Sequence, residues 1–197
     1  MQGQSNPRTR VTIERLTDAA CILANRVGFH AISMNELASE LCIRSPSLYT
    51  HVSGLEDVRR LIALKGLRDL LAQLKAAPND GKEQMLALFD AYRRFALDNP
   101  GVYASILPTP PADDMAWRAA LDDIKHHILQ ALLPFALDRA QSIHALRGLR
   151  SVAHGFVSLE LAGAFKSSIT NDESYRWLVA CYLEGLAGQS GGGHDRK

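Results

Sequence analysis

Long apolar runs, paired cysteines and an excess of one charge are all scarce in this chain, and each scarcity excludes something. No apolar stretch approaches the roughly 20 residues that a membrane-spanning helix needs, and the polar segment 1–10 lacks the apolar centre of a secretory signal. A cytoplasmic protein with no membrane partner is expected. The three cysteines, Cys21, Cys42 and Cys181, are too few and too widely spaced for a disulfide framework or a C-x-x-C metal knuckle. They read as structural thiols in a reducing compartment. No segment alternates with period two for long enough to build a sheet. Catalytic signatures are missing too: there is no H-E-x-x-H, no glycine-rich phosphate loop before a helix and no nucleophile elbow. The chain is expected not to be an enzyme and to carry no cofactor.

What is present suits a globular helical protein. A chain of 197 residues with 47% hydrophobic content can bury a full core as one large or two small domains. Its net charge is only +1, from 22 Lys/Arg and 21 Asp/Glu, but the charge is unevenly spread. Residues 1–76 hold ten basic and seven acidic side chains, hence +3; residues 77–197 hold twelve and fourteen, hence −2. A basic N-terminal part beside an acidic remainder suits a protein that meets DNA with one end.

Residues 33–52, SMNELASELCIRSPSLYTHV, organise the rest. Ser33 and Glu36 have the S-x-x-E spacing of a capping box, and Leu37, Ala38 and Leu41 follow at helical spacing. Ser45 before Pro46 is a second start signal, with Ser as the cap and Pro at the first helical position. On this short second helix Leu48 and Val52 face inward with Ile43, which turns Ser47, Thr50 and His51 outward. Two capped helices at a steep angle, the second with a solvated polar face, describe a helix-turn-helix. The competing reading is an ordinary helical corner.

The run L-C-I-R-S-P-S-L-Y-T-H-V resembles the recognition segment of the tetracycline-repressor (TetR) family, which typically reads L-G-V-x-x-x-[ST]-L-Y-x-H-[FV]. Matches fall at Leu41, Ile43, Ser47, Leu48, Tyr49, His51 and Val52, while Cys42 replaces the usual turn glycine. The resemblance extends upstream through A-x-x-L-x-x-x-x-G-F at Ala20, Leu23, Gly28 and Phe29. It implies an all-α fold: an N-terminal three-helix DNA-binding domain followed by a helical domain for ligand binding and dimerisation. The family commonly has a Lys or Arg three residues beyond the His-[FV] pair, and here that place is Leu55. The element Ala153-His154-Gly155, followed by F-V-S-L-E, resembles a subset whose sensor domain carries Trp-His-Gly, with Ala153 where the Trp stands.

Taken in order, residues 1–9 read as a polar arm in which Arg8 and, just beyond it, Arg10 could reach phosphates or the minor groove. A helix from about residue 11 ends at Gly28. After a turn at Ser53 and Gly54, a long helix over about 55–76 is apolar on more than one side, as suits a connector between two domains. Residues 78–81 mark a boundary. Helices are expected over about 82–98, from the Asn99-Pro100 cap, over 113–133, from an Asp138/Gln141 capping box through 165, and from a Thr170/Glu173 box to about 186. The total is about nine helices. The divisions expected are a DNA-binding domain 1–54, a connector 55–76, a ligand-binding and dimerisation domain 77–187, and a flexible tail 188–197.

Three groups of candidate site residues follow. For DNA they are Arg8, Arg10, Ser33, Arg44, Ser45, Ser47, Tyr49, Thr50 and His51. Arg44 is the only nearby side chain able to grip guanine with two hydrogen bonds. By the resemblance, Tyr49 and His51 hold phosphates. For dimerisation, the small residues Gly148, Gly155, Ala162 and Gly163 lie along one helix, where each interior glycine costs about 1 kcal/mol relative to Ala. Close approach of a second copy would offset that cost, with Leu159, Leu178, Tyr182 and Leu186 as apolar contacts; packing within one chain is the alternative. For a ligand, the family resemblance favours a pocket among Phe89, Tyr92, Phe95, Tyr103, Trp117, Leu121 and His127 over a plain core. A small apolar or aromatic effector is then expected, with Tyr92, Tyr103 or His127 as its polar handle.

Asp122 with His126, and Asp123 with His127, have i, i+4 spacing that could place two ligands on one metal. Two ligands per face fall short of the usual three or four, so solvated carboxylate–imidazole contacts are the favoured reading and no metal is expected. The functional expectation is a ligand-responsive regulator, a repressor by resemblance, that binds a palindromic double-stranded operator as a homodimer. The alternative is an all-helical interaction or enzyme module whose helix-turn-helix is vestigial.

Overall fold

The computed structural model describes residues 11–78 and 82–189, so the expected arm at 1–10, with Arg8 and Arg10, lies outside the described residues. Nine α-helices and two short 3-10 turns, with no strand, make up the described residues. The helices are α1 (Ile13–Val27), α2 (Met34–Glu40), α3 (Ser45–Leu48), α4 (Leu55–Lys75), α5 (Lys82–Asp98), α6 (Pro100–Ser105), α7 (Met115–Ala131), α8 (Arg139–Leu161) and α9 (Asn171–Gln189). The all-α expectation and its helix count are met. Of the expected tail, residues 188 and 189 belong to α9, and the remainder lies outside the described residues.

The first three helices share a core of Leu16, Ala20, Leu23, Leu37, Ala38, Leu48 and Val52, all buried. Thr12 caps α1 through the Arg15 amide, and α1 stops at Gly28, whose φ of 93° suits a residue without Cβ. The capping box at α2 forms only in part. Ser33 Oγ accepts the Glu36 amide at 3.3 Å, but it donates to the Glu36 carboxylate at 2.7 Å, so that carboxylate does not reach back to a backbone amide. Two hydrogen bonds close α2: Cys42 N–H to Ser39 O at 3.0 Å and Ile43 N–H to Ala38 O at 3.0 Å. This is a Schellman ending, and it holds Cys42 at φ 55° in the place that glycine normally fills. The expected cap of α3 is corrected by one residue. Arg44 occupies the cap position, while Ser45 is the first helical residue and donates its hydroxyl to Asn35 Oδ1 at 2.8 Å.

α6 is wedged between the first helices and the rest. A Cβ on Gly101 would lie 2.0 Å from Ala24 O on α1, and one on Gly66 of α4 would lie 2.6 Å from Val102 Cγ1. Only glycine at both places lets α6 approach so closely. Asn99 opens α6, but its side chain accepts from no amide of that helix and donates to Phe95 O on α5 at 3.2 Å. The amides of Gly101 and Val102 donate instead to Asn25 Oδ1 on α1, each at 3.0 Å. Arg60 on α4 grips Asp114 at the start of α7 with two hydrogen bonds, Nε to Oδ2 at 2.5 Å and Nη2 to Oδ1 at 2.9 Å. That pairing holds the Asp114 carboxyl below its ordinary pKa.

The remaining helices close the other end. Arg93 on α5 donates two hydrogen bonds of 2.7 Å to Glu160 on α8, pairs with Asp172 on α9 and stacks over the Tyr175 ring. One guanidinium thus joins three helices. The Asp138/Gln141 box is reciprocal, as is the Thr170/Glu173 box. α8 ends four residues before the expected 165. Gly163 at φ 65° donates to Glu160 O and Ala164 to Leu159 O, a second Schellman ending. Gly163 therefore serves to terminate the helix, and both it and the cap residue Ala162 lie outside the helix interior.

Candidate functional site

Two features stand open on this scaffold: an exposed polar face at α3 and a cavity among the later helices. α3 has only four residues and is held by Leu48, which is fully buried, and by Val52 just beyond it. Arg44, Ser47, Tyr49, Thr50 and His51 are all exposed around this anchor, Tyr49 by 58%. Thr50 donates its hydroxyl to Ser47 O at 2.8 Å, which leaves its methyl and oxygen lone pairs free. Of the other candidates for DNA, Ser33 has its donor engaged by Glu36 and Ser45 by Asn35, both half-buried. Leu55 packs against the core.

The cavity measures about 270 Å³ and lies among α4, α5, α7 and α8, with Ile106 and Leu107 at the end of α6 forming one wall. Of the seven expected pocket residues, Phe89, Tyr92 and Leu121 line it. Phe95, Tyr103, Trp117 and His127 do not. Phe95 is sealed in the core, and Trp117 is buried at the first turn of α7 with its indole N–H unpartnered among the described residues. His127 is half-buried and its Nε2 is likewise unpartnered. Tyr103 sits behind Tyr92: their hydroxyls are 3.0 Å apart, and the Tyr103 hydroxyl lies 2.6 Å from His154 Nδ1. Burial, together with the nearby Arg150 charge, depresses the His154 pKa, and burial pushes both phenols up. A neutral His154 accepts at Nδ1 from Tyr103, which frees the Tyr103 oxygen to accept from Tyr92.

Sequence reasoning missed most of the wall: the leucines of α4, Met85, Ile106, Leu107 and the charged trio Asp122, Lys125 and Arg150. The leucines are visible as an unusually apolar connector, but nothing local says that a space lies beside them. No three His, Cys, Asp or Glu side chains come together to hold a metal among the described residues, and Asp122 pairs with Lys125 at 3.8 Å.

The dimer candidates divide into two sets. A Cβ on Gly148 would meet the Tyr182 hydroxyl at 2.2 Å, and that hydroxyl donates to Ala145 O at 3.1 Å. Gly148 and Tyr182 thus pack α9 onto α8 within one chain, which corrects the reading that they face a second copy. Gly155 has nothing within 4 Å of a Cβ placed on it, and Leu159 is 50% exposed. Leu178 and Leu186 are half-buried against the core. Beside them Trp177 is 71% exposed, a residue the sequence did not single out.

Comparison with known proteins agrees with the all-helical fold. Residues 85–182 match the family model described as tetracyclin repressor-like, C-terminal domain. The chain is 33% identical over 185 residues to YobS of Bacillus subtilis, an uncharacterised HTH-type transcriptional regulator, covering 92% of this chain and 95% of that one. It is 31% identical over 180 residues to an uncharacterised HTH-type transcriptional regulator of Mycobacterium tuberculosis, covering 90% and 82%. The fold is similar to that of a TetR variant from Acinetobacter baumannii solved in complex with minocycline, with a TM-score of 0.69 at 17% identity over 92% of this chain and 99% of that one.

Proposed function

The chain belongs to the tetracycline-repressor (TetR) family of helix-turn-helix transcriptional regulators, and from that premise we propose that it is an effector-responsive repressor acting as a homodimer. In this reading residues 1–54 bind DNA, 55–76 connect, and 77–187 bind the effector and dimerise. The observation that carries it is the exposed set Arg44, Ser47, Tyr49, Thr50 and His51 around a four-residue helix fixed by Leu48. Two such helices, one per protomer, read half-sites of a palindromic operator about one helical turn, roughly 34 Å, apart. Gly155 and Leu159 on α8, with Trp177 on α9, supply the apolar face through which the protomers meet.

A small apolar effector fills the cavity and acts through α6, whose end forms a cavity wall and whose start is joined to α1. Differential binding worth about 1–3 kcal/mol between two arrangements of the dimer is enough to move it on or off DNA. Capture of genomic fragments followed by binding measurements across salt concentration tests the reading. The expected result is one or a few palindromic sites bound with a steep negative salt slope and released by at least one apolar compound. Binding to no fragment above the random background would leave the helix-turn-helix without this function.

A further inference from the structure

The cavity lining is aliphatic and aromatic except for three exposed charged residues at its rim: Asp122 and Lys125 on α7 and Arg150 on α8. Asp122 and Lys125 compensate each other across 3.8 Å. Arg150 has no ion pair or hydrogen bond among the described residues, so the rim carries one uncompensated positive charge. Arg150 lines the same cavity as Tyr92, which carries the only hydroxyl among its lining residues.

Resting on the effector reading above, we propose that the effector is an amphipathic monocarboxylate, its apolar tail among Leu70, Leu88, Phe89 and Ile128 and its carboxylate on the Arg150 guanidinium. A planar guanidinium offers paired N–H donors in the geometry that a carboxylate accepts. An amine would meet the cation unfavourably, and the only acid on the lining, Asp122, is already paired with Lys125. Size sets the tail: a 150 Å³ apolar cavity takes benzene, so about 270 Å³ takes roughly ten or eleven non-hydrogen atoms. Octanoate has that size.

The test uses the full chain and three eight-carbon probes that differ only in headgroup: octanoate, octan-1-ol and octylamine. Calorimetric titration at low ionic strength is expected to show octanoate binding about tenfold more tightly than octanol, with octylamine weakest. Added salt is expected to weaken octanoate and leave octanol unchanged. Arg150→Met, which keeps the apolar stem, is expected to erase the preference while octanol affinity stays within about twofold, a built-in check that the cavity is intact. Octanol or octylamine binding as tightly as octanoate in the parent protein overturns the proposal without any variant, as does an octanoate preference that survives Arg150→Met. Should a neutral or cationic apolar compound release DNA while octanoate does not bind, the carboxylate assignment fails and the effector reading stands. Should no apolar compound of any charge bind or release DNA, both fail.

Discussion

Asn25 Oδ1, near the end of α1, accepts the Gly101 amide at 3.0 Å and so helps cap a helix that begins 75 residues further along the chain. The Val102 amide makes the same bond, and Asn25 Nδ2 donates to Asn99 Oδ1 at 3.3 Å. Helix starts are normally capped from within the local sequence. Here the cap comes from the three-helix unit that carries α3, so movement of α6 at the cavity bears directly on α1.

Gly101→Ala is expected to destabilise the protein by at least about 1–3 kcal/mol, because the new Cβ meets the Ala24 carbonyl, which is backbone and cannot rotate away. Asn25→Ala is expected to cost about 0.5–2 kcal/mol as a lost cap. Urea unfolding of both variants measures this. A Gly101→Ala midpoint equal to the parent's would mean that α1 and α6 do not meet so closely.

Cys42→Gly is expected to stabilise the fold. A residue with a Cβ at φ 55° bears strain of roughly 1–2 kcal/mol that glycine does not. Part of that gain is offset by glycine's greater freedom in the unfolded chain. A net gain of about 1 kcal/mol corresponds to a rise of roughly 2–4 °C in Tm for a chain of this size, read by thermal melting under reducing conditions.

Arg44→Ala is expected to reduce affinity for the specific operator by about 1–3 kcal/mol and to leave random DNA much less affected, as for a side chain that reads guanine edges. Equal losses on both DNAs would reduce Arg44 to a phosphate contact. Competition binding at fixed salt makes the comparison.

Gly155 discriminates a monomer from a dimer in two substitutions. On an isolated helix face, Gly155→Ala would gain about 1 kcal/mol of helix stability, since nothing lies within 4 Å of the new Cβ. In a dimer packed at this face, Gly155→Leu separates the protomers, and operator affinity falls with the dimer. Sedimentation of Gly155→Leu as an intact dimer with unchanged operator binding would remove Gly155 from the interface.

Stability is expected to fall as pH drops from about 6.5 through the depressed folded-state value of His154. Burial and the Arg150 charge depress the folded-state pKa of His154, so in this window the unfolded chain binds more protons than the native state. The contribution is complete above the ordinary histidine value of about 6.5 and is lost as pH falls through the folded value. The lowered carboxylates Asp114 and Glu160 act at lower pH, below their ordinary values. Urea midpoints for the parent and His154→Gln at pH 7.5 and 5.5 test the point, and the variant is expected to show the shallower dependence.

What the sequence determined on its own is what depends on neighbours a few residues apart. Helix periodicity, the Asp138 and Thr170 boxes and the outward turn of Ser47, Thr50 and His51 against Leu48 and Val52 follow from 3.6 residues per turn and from local hydrogen bonds. These are the same wherever the segment sits. Tertiary structure decided everything that needed two distant segments. Nothing near residue 101 says that Asn25 will cap it, nothing near Gly148 says that Tyr182 will fill its space, and Phe95 and Phe89 read alike until packing seals one and leaves the other on a cavity. Close approach, void space and an unpaired charge at a rim are properties of several helices together. Because periodicity records only which face of a helix is apolar, it cannot say what that face meets.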